Sequence, residues 1–363
     1  MFRVFLGLIM LKKRILSGMR PTGRLHLGHL FGVLENWKRL QDEYECFFMA
    51  ADWHALMSEY ENPRSIKENI VDNVVDWLSC GINPEKAHIF IQSQIKEHLE
   101  LDIILSVITP LGWLERCPTY KEQLREASNR DLSTYGFLGY PVLQAADILL
   151  YKADCVPVGE DQLPHLELTR EIARRFNSLY KKEVFLDPQA LLTGSSRILG
   201  TDGRKMSKSY NNCIGLSDEP EDITRKIQGM FTDPKRIKLS DPGHPDVCNV
   251  HSYYAIFAPQ RKEEIDQLCR EAKIGCTDCK KELAALVVKY LEPIREKRKA
   301  LLQDKNRIHA ILEQGRQKAQ ESAAKTINEV KELIGMSFRV GVGFPHPNND
   351  KGRGDRAPTT PLN

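Results

Sequence analysis

The sequence predicts an α/β fold in which a doubly wound parallel sheet is followed by a C-terminal helical domain. Short β-rich runs alternate with longer helical runs from residue 13 to about residue 218, which is typical of repeated strand–helix–strand units. After about Glu219 the β-rich runs stop, and apolar residues recur at intervals of three and four residues. The chain of 363 residues is long enough for two domains, each with its own apolar core.

Four short runs are predicted to be parallel strands, and a predicted helix follows each of them. The strands are residues 14–18, 46–50, 88–91 and 156–158. The corresponding helices begin near Leu27, span residues 65–80, begin near Leu99 and span residues 163–180. Ligands of such a sheet bind outside the carboxyl ends of the strands, so functional residues are expected in the segments that follow the strands.

The chain is expected to divide into an N-terminal extension (1–12), the α/β domain (13–218), the helical domain (219–335) and a tail (336–363). The tail is rich in Gly, Pro, Asn and basic residues, a composition that predicts disorder. The formal net charge of +3 is too small to indicate a nucleic-acid-binding protein by itself. No run reaches the roughly 20 apolar residues of a membrane span, so we expect a cytoplasmic protein without a membrane partner.

A glycine-rich turn follows the first predicted strand and contains His26, Gly28 and His29 in the order His-Leu-Gly-His. Such a turn into a helix aims backbone N–H groups and the positive end of the helix dipole at an anion above the sheet. The two histidines, three residues apart, can donate to the same phosphate chain. An isolated histidine pair at a helix start is usually without function, so the interpretation needs a second motif.

The second motif is a polar loop, Lys205-Met206-Ser207-Lys208-Ser209. Two ammonium groups on one loop can close on a triphosphate and stabilise the charge that develops on a departing pyrophosphate. Alone, two lysines at this spacing usually form a solvated surface. Together with the histidine turn they indicate nucleotide chemistry.

These two motifs match the signatures of the class I aminoacyl-tRNA synthetases, and residues 139–151 and 156–162 resemble those of bacterial tryptophanyl-tRNA synthetases. The resemblance covers roughly residues 13 to 335. It implies a Rossmann-like catalytic domain over residues 13–218 and an anticodon-binding helical domain over residues 219–335. It further implies that L-tryptophan is activated with Mg²⁺-ATP, pyrophosphate is released, and the tryptophanyl group is transferred to tRNA(Trp).

The chemistry of Asp147 agrees with tryptophan as the substrate. It lies in an otherwise apolar predicted helix, where an unpaired carboxylate would be costly. An indole N–H is only a donor, and a carboxylate is the acceptor that suits it. Tyrosyl-tRNA synthetases are the nearest alternative, but they usually carry Tyr and Asp at the positions of Leu16 and Arg20; Leu16 is an apolar wall that suits an indole. A salt-bridged structural role is the other interpretation of Asp147.

The resemblance assigns further residues to the two substrates. Catalysis is expected from His26, His29, Lys205 and Lys208, which would neutralise the phosphates. The implied ATP-binding residues are Arg20, Pro21, Thr22, Gly28, His29, Gly159, Glu160, Asp161, Ile198, Leu199, Lys205, Met206, Ser207, Lys208 and Ser209. The implied tryptophan-binding residues are Leu16, His54, Tyr140, Gln144, Asp147, Val156, Val158 and Gln162. Many relatives carry Gln at the position of Arg20.

Four of the nine cysteines, Cys248, Cys269, Cys276 and Cys279, have the spacing C-x20-C-x6-C-x2-C in the predicted helical domain. Four thiolates can form a tetrahedral zinc site or bind a [4Fe–4S] cluster, and the spacing does not decide between them. A subset of bacterial tryptophanyl-tRNA synthetases carries the same second and third spacings, after a slightly longer first one, with a [4Fe–4S] cluster. The resemblance therefore implies this cluster, with Zn²⁺ as the alternative.

The resemblance also implies a homodimer and a tRNA-binding helical domain. Residues 292–309 hold six Lys or Arg against three acidic residues; a solvated helix face is the default interpretation, and contacts to RNA phosphates are the functional one. Two other classes of protein stay open. A redox or sensing protein would depend on Cys276 rather than on the lysine loop, and a non-catalytic binding protein would not be expected to keep both motifs intact.

Overall fold

The computed structural model describes residues 12–118, 120–121, 132–192 and 198–337. Within these residues, five strands form one parallel sheet in the order β3-β2-β1-β4-β5. The strands are β1 (Arg14–Met19), β2 (Glu45–Ala50), β3 (Ala87–Ile91), β4 (Cys155–Val158) and β5 (Gln189–Leu192). The predicted α/β fold is confirmed, and the four predicted strands agree with the observed bounds to within one residue. The predicted extension lies outside the described residues except for Lys12, and so does the predicted tail beyond residue 337.

Strand β5 was not predicted. Its sequence, Gln-Ala-Leu-Leu, is short and lacks the β-branched and aromatic residues that indicate a strand. It forms because it pairs with β4 along its whole length, from Gln189 opposite Cys155 to Leu192 opposite Val158. Tertiary pairing here overrides a weak local preference.

Helices cover both faces of the sheet. Those of the first half are α1 (Leu27–His29), α2 (Glu35–Glu43), α3 (Asp52–Glu59), α4 (Arg64–Ser79), α5 (Glu97–Ile108), α6 (Leu111–Arg116), α7 (Tyr135–Leu150) and α8 (Leu163–Tyr180). A π-helical turn (Leu30–Leu34) joins α1 to α2 without a break. No described helix combines the length and the apolar character that crossing a bilayer requires.

Alternating side chains of the strands supply two apolar cores, one on each face of the sheet. Ile15 of β1 packs into the first core with Phe48 of β2, and the next residue, Leu16, packs into the second core with Phe47. This alternation follows from the two-residue period of a strand. Because both faces are covered, the strands carry apolar residues almost continuously.

Beyond residue 219 the described chain is helical, as predicted. Its helices are α9 (Pro220–Gln228), α10 (Asn249–Phe257), α11 (Lys262–Arg270), α12 (Cys276–Gln303) and α13 (Lys305–Leu333). Helices α12 and α13 are separated only by Asp304, which caps α13 by accepting a hydrogen bond from the Arg307 N–H at 3.0 Å.

Helix α13 returns to the sheet and packs against the edge strand β3. A Cβ atom at Gly315 would lie only 1.8 Å from the backbone oxygen of Ile89, so this helix approaches the strand more closely than any side chain allows. Val287 and Leu291 of α12 belong to the same apolar core as Ile15. The division of the chain at residue 218 stays a prediction.

Candidate functional site

A cavity of about 440 Å³ opens where β1 and β4 end side by side. In the strand order 3-2-1-4-5 the chain reverses direction across the sheet at this pair, which is where ligands of doubly wound sheets bind. All of the predicted tryptophan-binding residues line the cavity: Leu16, His54, Tyr140, Gln144, Asp147, Val156, Val158 and Gln162. Four predicted ATP-binding residues line it too: Arg20, Thr22, His29 and Gly159.

The other predicted ATP-binding residues lie outside the lining of this cavity. They are Pro21, Gly28, Glu160, Asp161, Ile198, Leu199, Lys205, Met206, Ser207, Lys208 and Ser209, and the predicted catalytic residue His26 also lies outside it. Glu160 and Asp161 are exposed directly after Gly159, whereas Ile198 and Met206 are buried in the first core.

The lysine loop packs against the histidine turn although 186 residues separate Thr22 from Lys208. The Lys208 ammonium donates to the backbone oxygen of Thr22 at 3.2 Å and lies over Gly23, whose φ of +114° places it in the region that glycine tolerates. Leu199 and Lys205 form an isolated antiparallel bridge across the base of the loop. The loop therefore lies against the turn.

Asn212 anchors the lysine loop, and the sequence did not reveal it. Its side chain is buried, accepts from the Ser207 N–H at 2.8 Å and donates to the Lys205 oxygen at 3.0 Å and to the Asp202 carboxylate at 2.7 Å. A buried amide that satisfies backbone groups in this way fixes the conformation of an irregular loop. In the sequence, Asn212 is only a polar residue that follows the lysine loop by three positions.

His26 and His29 lie together at the start of α1, with ring centroids 3.9 Å apart. The Gly28 N–H donates to His26 Nδ1 at 3.1 Å, and the His26 N–H donates to His29 Nδ1 at 3.2 Å. Each Nδ1 is thus an acceptor, so a neutral ring carries its proton on Nε2. Both rings can present an Nε2–H donor to an anion.

The electrostatic environment keeps both rings neutral. Burial, reinforced by the nearby Lys208 ammonium, lowers the pKa of His26 to about 4. Burial, His26 and Lys208 together lower the pKa of His29 well below its usual range. As neutral rings, the two imidazoles can donate hydrogen bonds to phosphates through Nε2–H.

Asp147 lies at the base of the cavity and is 2% exposed. Its Oδ1 contacts His98 Nδ1 at 2.6 Å and its Oδ2 contacts His54 Nε2 at 2.8 Å, while the Gln92 amide donates to both oxygens at 2.8 and 2.9 Å. Burial alone would raise its pKa, but His98 and His54 more than offset this and lower the pKa to about 2. The carboxylate is ionised and, as the sequence required, it is not unpaired.

Gln92 and His98 were missed by sequence reasoning. Gln92 directly follows β3, at the carboxyl end of a strand, so the rule that located the other segments could have found it. His98, the second residue of α5, resembles an ordinary polar residue of a helix and gives no such signal. Both side chains are fully buried.

A second hydrogen-bonded group holds Tyr140 and Gln162. The Tyr140 hydroxyl contacts His165 Nε2 at 2.7 Å, and His165 Nδ1 contacts Gln162 Oε1 at 3.1 Å. An amide oxygen only accepts, so His165 carries its proton on Nδ1 and the tyrosine donates to Nε2. Burial lowers the pKa of His165 to about 4, which keeps the ring neutral. The sequence did not identify His165.

The four clustered cysteines are partly buried around α10 to α12. Burial raises the pKa of Cys279 to about 12, and the thiols of Cys248, Cys269 and Cys276 add to this effect, so the four groups are electrostatic neighbours. Arg236 contributes a cation, with its Nη1 3.7 Å from Cys269 Sγ. Among the described residues, no three His, Cys, Asp or Glu side chains are arranged to hold a metal ion.

The basic segment 292–309 is only partly a solvated face. Arg295 and Arg298 are buried, and Arg298 forms ion pairs with Asp72 and with Asp76, at 3.1 Å in the latter case. These pairs join α12 to α4 of the α/β domain. At least two of the six basic residues are therefore unavailable to RNA.

Comparisons with known proteins identify the family. The family described as "tRNA synthetases class I (W and Y)" matches residues 12–292. The tryptophan–tRNA ligase of Thermotoga maritima is 51% identical over 328 residues, which cover 90% of this chain and 100% of that relative. The tryptophan–tRNA ligase of Aquifex aeolicus is 43% identical over 394 residues, which cover 89% of this chain and 100% of the relative.

A solved structure agrees with these sequence relatives. The crystal structure of the Campylobacter jejuni tryptophanyl-tRNA synthetase complexed with ADP and tryptophan matches with a TM-score of 0.81 and 34% identity, and the match covers 89% of this chain and 99% of that one. The chain therefore belongs to the class I tRNA synthetases, and within that class to the tryptophanyl-tRNA synthetases.

Proposed function

We propose that the cavity at the ends of β1 and β4 activates L-tryptophan with ATP and that the enzyme then transfers the tryptophanyl group to tRNA(Trp). One observation carries this proposal: an ionised, buried carboxylate, Asp147, at the base of a cavity with apolar walls and next to a phosphate-binding turn. A cavity with apolar walls and an ionised acceptor at its base suits a large aromatic ring that offers one N–H donor.

In this proposal the side chains divide the substrate between them. Leu16, Val156 and Val158 contact the indole ring, and Asp147 accepts its N–H. The positively charged amino group of tryptophan binds to the oxygen atoms of Tyr140, Gln144 and Gln162. His54 lines the cavity and contacts the Asp147 carboxylate. This arrangement leaves the tryptophan carboxylate pointing toward the histidine turn.

ATP binds across the turn, with its Mg²⁺ entering as part of the substrate complex. Arg20, Pro21, Thr22 and Gly28 contact the nucleotide, and Gly159, Glu160 and Asp161 bind on the ribose side. Ile198, Leu199 and Met206 form the apolar contact for the base, and the loop from Lys205 to Ser209 closes over the phosphates. Backbone N–H groups at the start of α1 add donors for the same anion.

The reaction is attack of the tryptophan carboxylate on the α-phosphorus, with pyrophosphate as the leaving group, followed by acyl transfer to the terminal ribose of tRNA. No general acid or base is required for the first step. The chain supplies position and electrostatic stabilisation: Lys205 and Lys208 carry the positive charge, and His26 and His29 donate through Nε2–H.

The test is ATP–pyrophosphate exchange measured separately with tryptophan, with tyrosine and without an amino acid. We expect exchange with tryptophan alone. Equal exchange with tyrosine would refute the specificity, and no exchange with either amino acid would refute the activation chemistry.

For the four cysteines we propose a [4Fe–4S] cluster, with Zn²⁺ as the alternative. The donor set supports this: four thiols lie between residues 248 and 279, and burial together with the neighbouring thiols raises the pKa of Cys269 and of Cys279. The guanidinium of Arg236 lies next to Cys269 and suits an anionic group. Such a cluster would tie α10, α11 and α12 together. Anaerobically purified protein should be brown and contain iron and sulfide; a colourless protein with one zinc per chain would reject the cluster.

We also propose a homodimer, with a second copy of the chain covering the outer face of α5. Leu99, Ile103 and Val107 recur every four residues on that face and are 40%, 59% and 81% exposed. Leu111, which follows in α6, is 57% exposed. Exposed apolar stripes of this kind indicate a contact surface, and a twofold dimer buries the same surface on both copies. A cytoplasmic location is proposed from the resemblance alone.

A further inference from the structure

A buried chain of hydrogen bonds runs from Asp147 away from the cavity. His98 Nδ1 contacts Asp147 Oδ1 at 2.6 Å, and His98 Nε2 contacts the Tyr151 hydroxyl at 2.9 Å. His98 and Tyr151 are both 0% exposed, and the rings of Phe47 and Phe90 lie 4.8 and 5.5 Å from that of Tyr151. In so apolar a setting each hydrogen bond strengthens its neighbour, and an unpaired group is costly.

The protons in this chain can be assigned. The Asp147 carboxylate only accepts, so His98 Nδ1 carries the proton of this hydrogen bond. Burial and the nearby Asp147 raise the pKa of Tyr151 well above its ordinary value, so its hydroxyl keeps a proton that it can donate to His98 Nε2. A neutral imidazole that accepts at Nε2 must carry its proton on Nδ1. His98 therefore presents an N–H donor to Asp147 and holds no alternative tautomer.

The donors to Asp147 come from two sides. His54 lines the cavity, whereas Gln92 and His98 do not. Behind the carboxylate, His98 contacts Oδ1, and the amide of Gln92 donates to both oxygens. They fix the plane of the carboxylate from behind, while His54 contacts Oδ2 from the cavity side.

We propose that His98, held in one tautomer by Tyr151, is a positioning residue that keeps Asp147 an anionic, correctly oriented acceptor and thereby sets the selectivity for a ring with an N–H donor. The inference rests on the proposed role of Asp147 as the acceptor for the indole. It adds that this role depends on two buried residues that touch no substrate.

The experiment measures the ratio of kcat/KM for tryptophan to that for its analogue in which sulfur replaces the indole nitrogen. His98→Ala is expected to reduce this ratio about 10- to 100-fold, the range for a hydrogen bond to a buried charged group, through KM for tryptophan with KM for ATP unchanged. His98→Asn, whose amide N–H can replace Nδ1–H, should restore most of the ratio. Tyr151→Phe should give an intermediate loss.

A pH profile separates positioning from packing. The titratable groups that face Asp147 are His54 from α3, His98 and Asp102 from α5, and Tyr151 directly after the helix that carries Asp147. Without His98, burial raises the carboxyl pKa, so KM for tryptophan in His98→Ala should rise as the pH falls from 8 toward 5, whereas wild type should be flat. Because burial and Asp147 raise the pKa of Asp102 to about 6, both profiles are compared in an Asp102→Asn background.

Controls distinguish the possible failures. His88→Asn changes a half-buried histidine of β3 that does not line the cavity, and it should leave the ratio unchanged. If Asp147→Asn keeps the wild-type ratio, the proposed role of Asp147 is wrong. If Asp147→Asn abolishes selectivity while His98→Ala and Tyr151→Phe both keep it, with a flat pH profile, only the role of His98 is overturned. Should His98→Ala not fold, His98→Asn and Tyr151→Phe decide by the same ratio.

Discussion

Replacing Lys208 with alanine tests whether the closed lysine loop supplies catalytic charge. Its ammonium donates to the backbone oxygen of Thr22, and its charge reaches both His26 and His29. A unit charge about 4 Å from another contributes about 4 kcal/mol at an effective dielectric constant near 20. Removing one such group from a transition state typically lowers kcat about 100- to 1,000-fold. We expect a loss of that size in pyrophosphate exchange.

The binding of tryptophan should survive this substitution, because Lys208 does not line the cavity. The assay is tryptophan-dependent ATP–pyrophosphate exchange, with KM for tryptophan and kcat determined separately. Arg204→Ala is the matched control, since it removes a cation from the same loop that pairs with Asp202 at 2.7 Å, and it should change kcat less than about threefold. A Lys208→Ala enzyme with wild-type kcat would refute the reasoning. NMR titration should also show the pKa of His26 rising in this variant, since the lysine contributes to its depression.

Three further predictions concern stability and assembly. Gly315→Ala should lower the free energy of unfolding, measured by urea titration, by about 1 to 3 kcal/mol, because the new Cβ meets the backbone oxygen of Ile89. The control Gly136→Ala should not destabilise the protein, because no atom lies within 4 Å of the new Cβ. Val107→Lys should convert the dimer to a monomer in light scattering. The folded pKa of His26 lies below its unfolded value, so stability should fall as the pH drops from about 6.5 to 4; His26→Asn, which keeps a capping oxygen, should flatten this fall.

The fold was predictable because its signals are local. Strands β1 to β4 are apolar runs bounded by turns and followed by helices, and each appears in the sequence within one residue of its observed bounds. The two phosphate motifs were recognisable because backbone geometry and charge demand particular residues at fixed spacing. Strand β5 and the break at Asp304 were missed, since the first depends on pairing with β4 and the second on a single capping residue.

The sequence by itself determined the α/β class, the family and several of the residues that line the cavity, all of which follow from patterns within short segments. Only the tertiary structure decided which groups meet. Lys208 donates to the Thr22 oxygen, Arg298 forms ion pairs with Asp72 and Asp76, and His98 contacts the Asp147 carboxylate from behind. It also decided protonation, because burial and neighbouring charges, not residue type, lower the pKa of His26 and of Asp147. Those quantities depend on distances across the fold, which no spacing along the chain encodes.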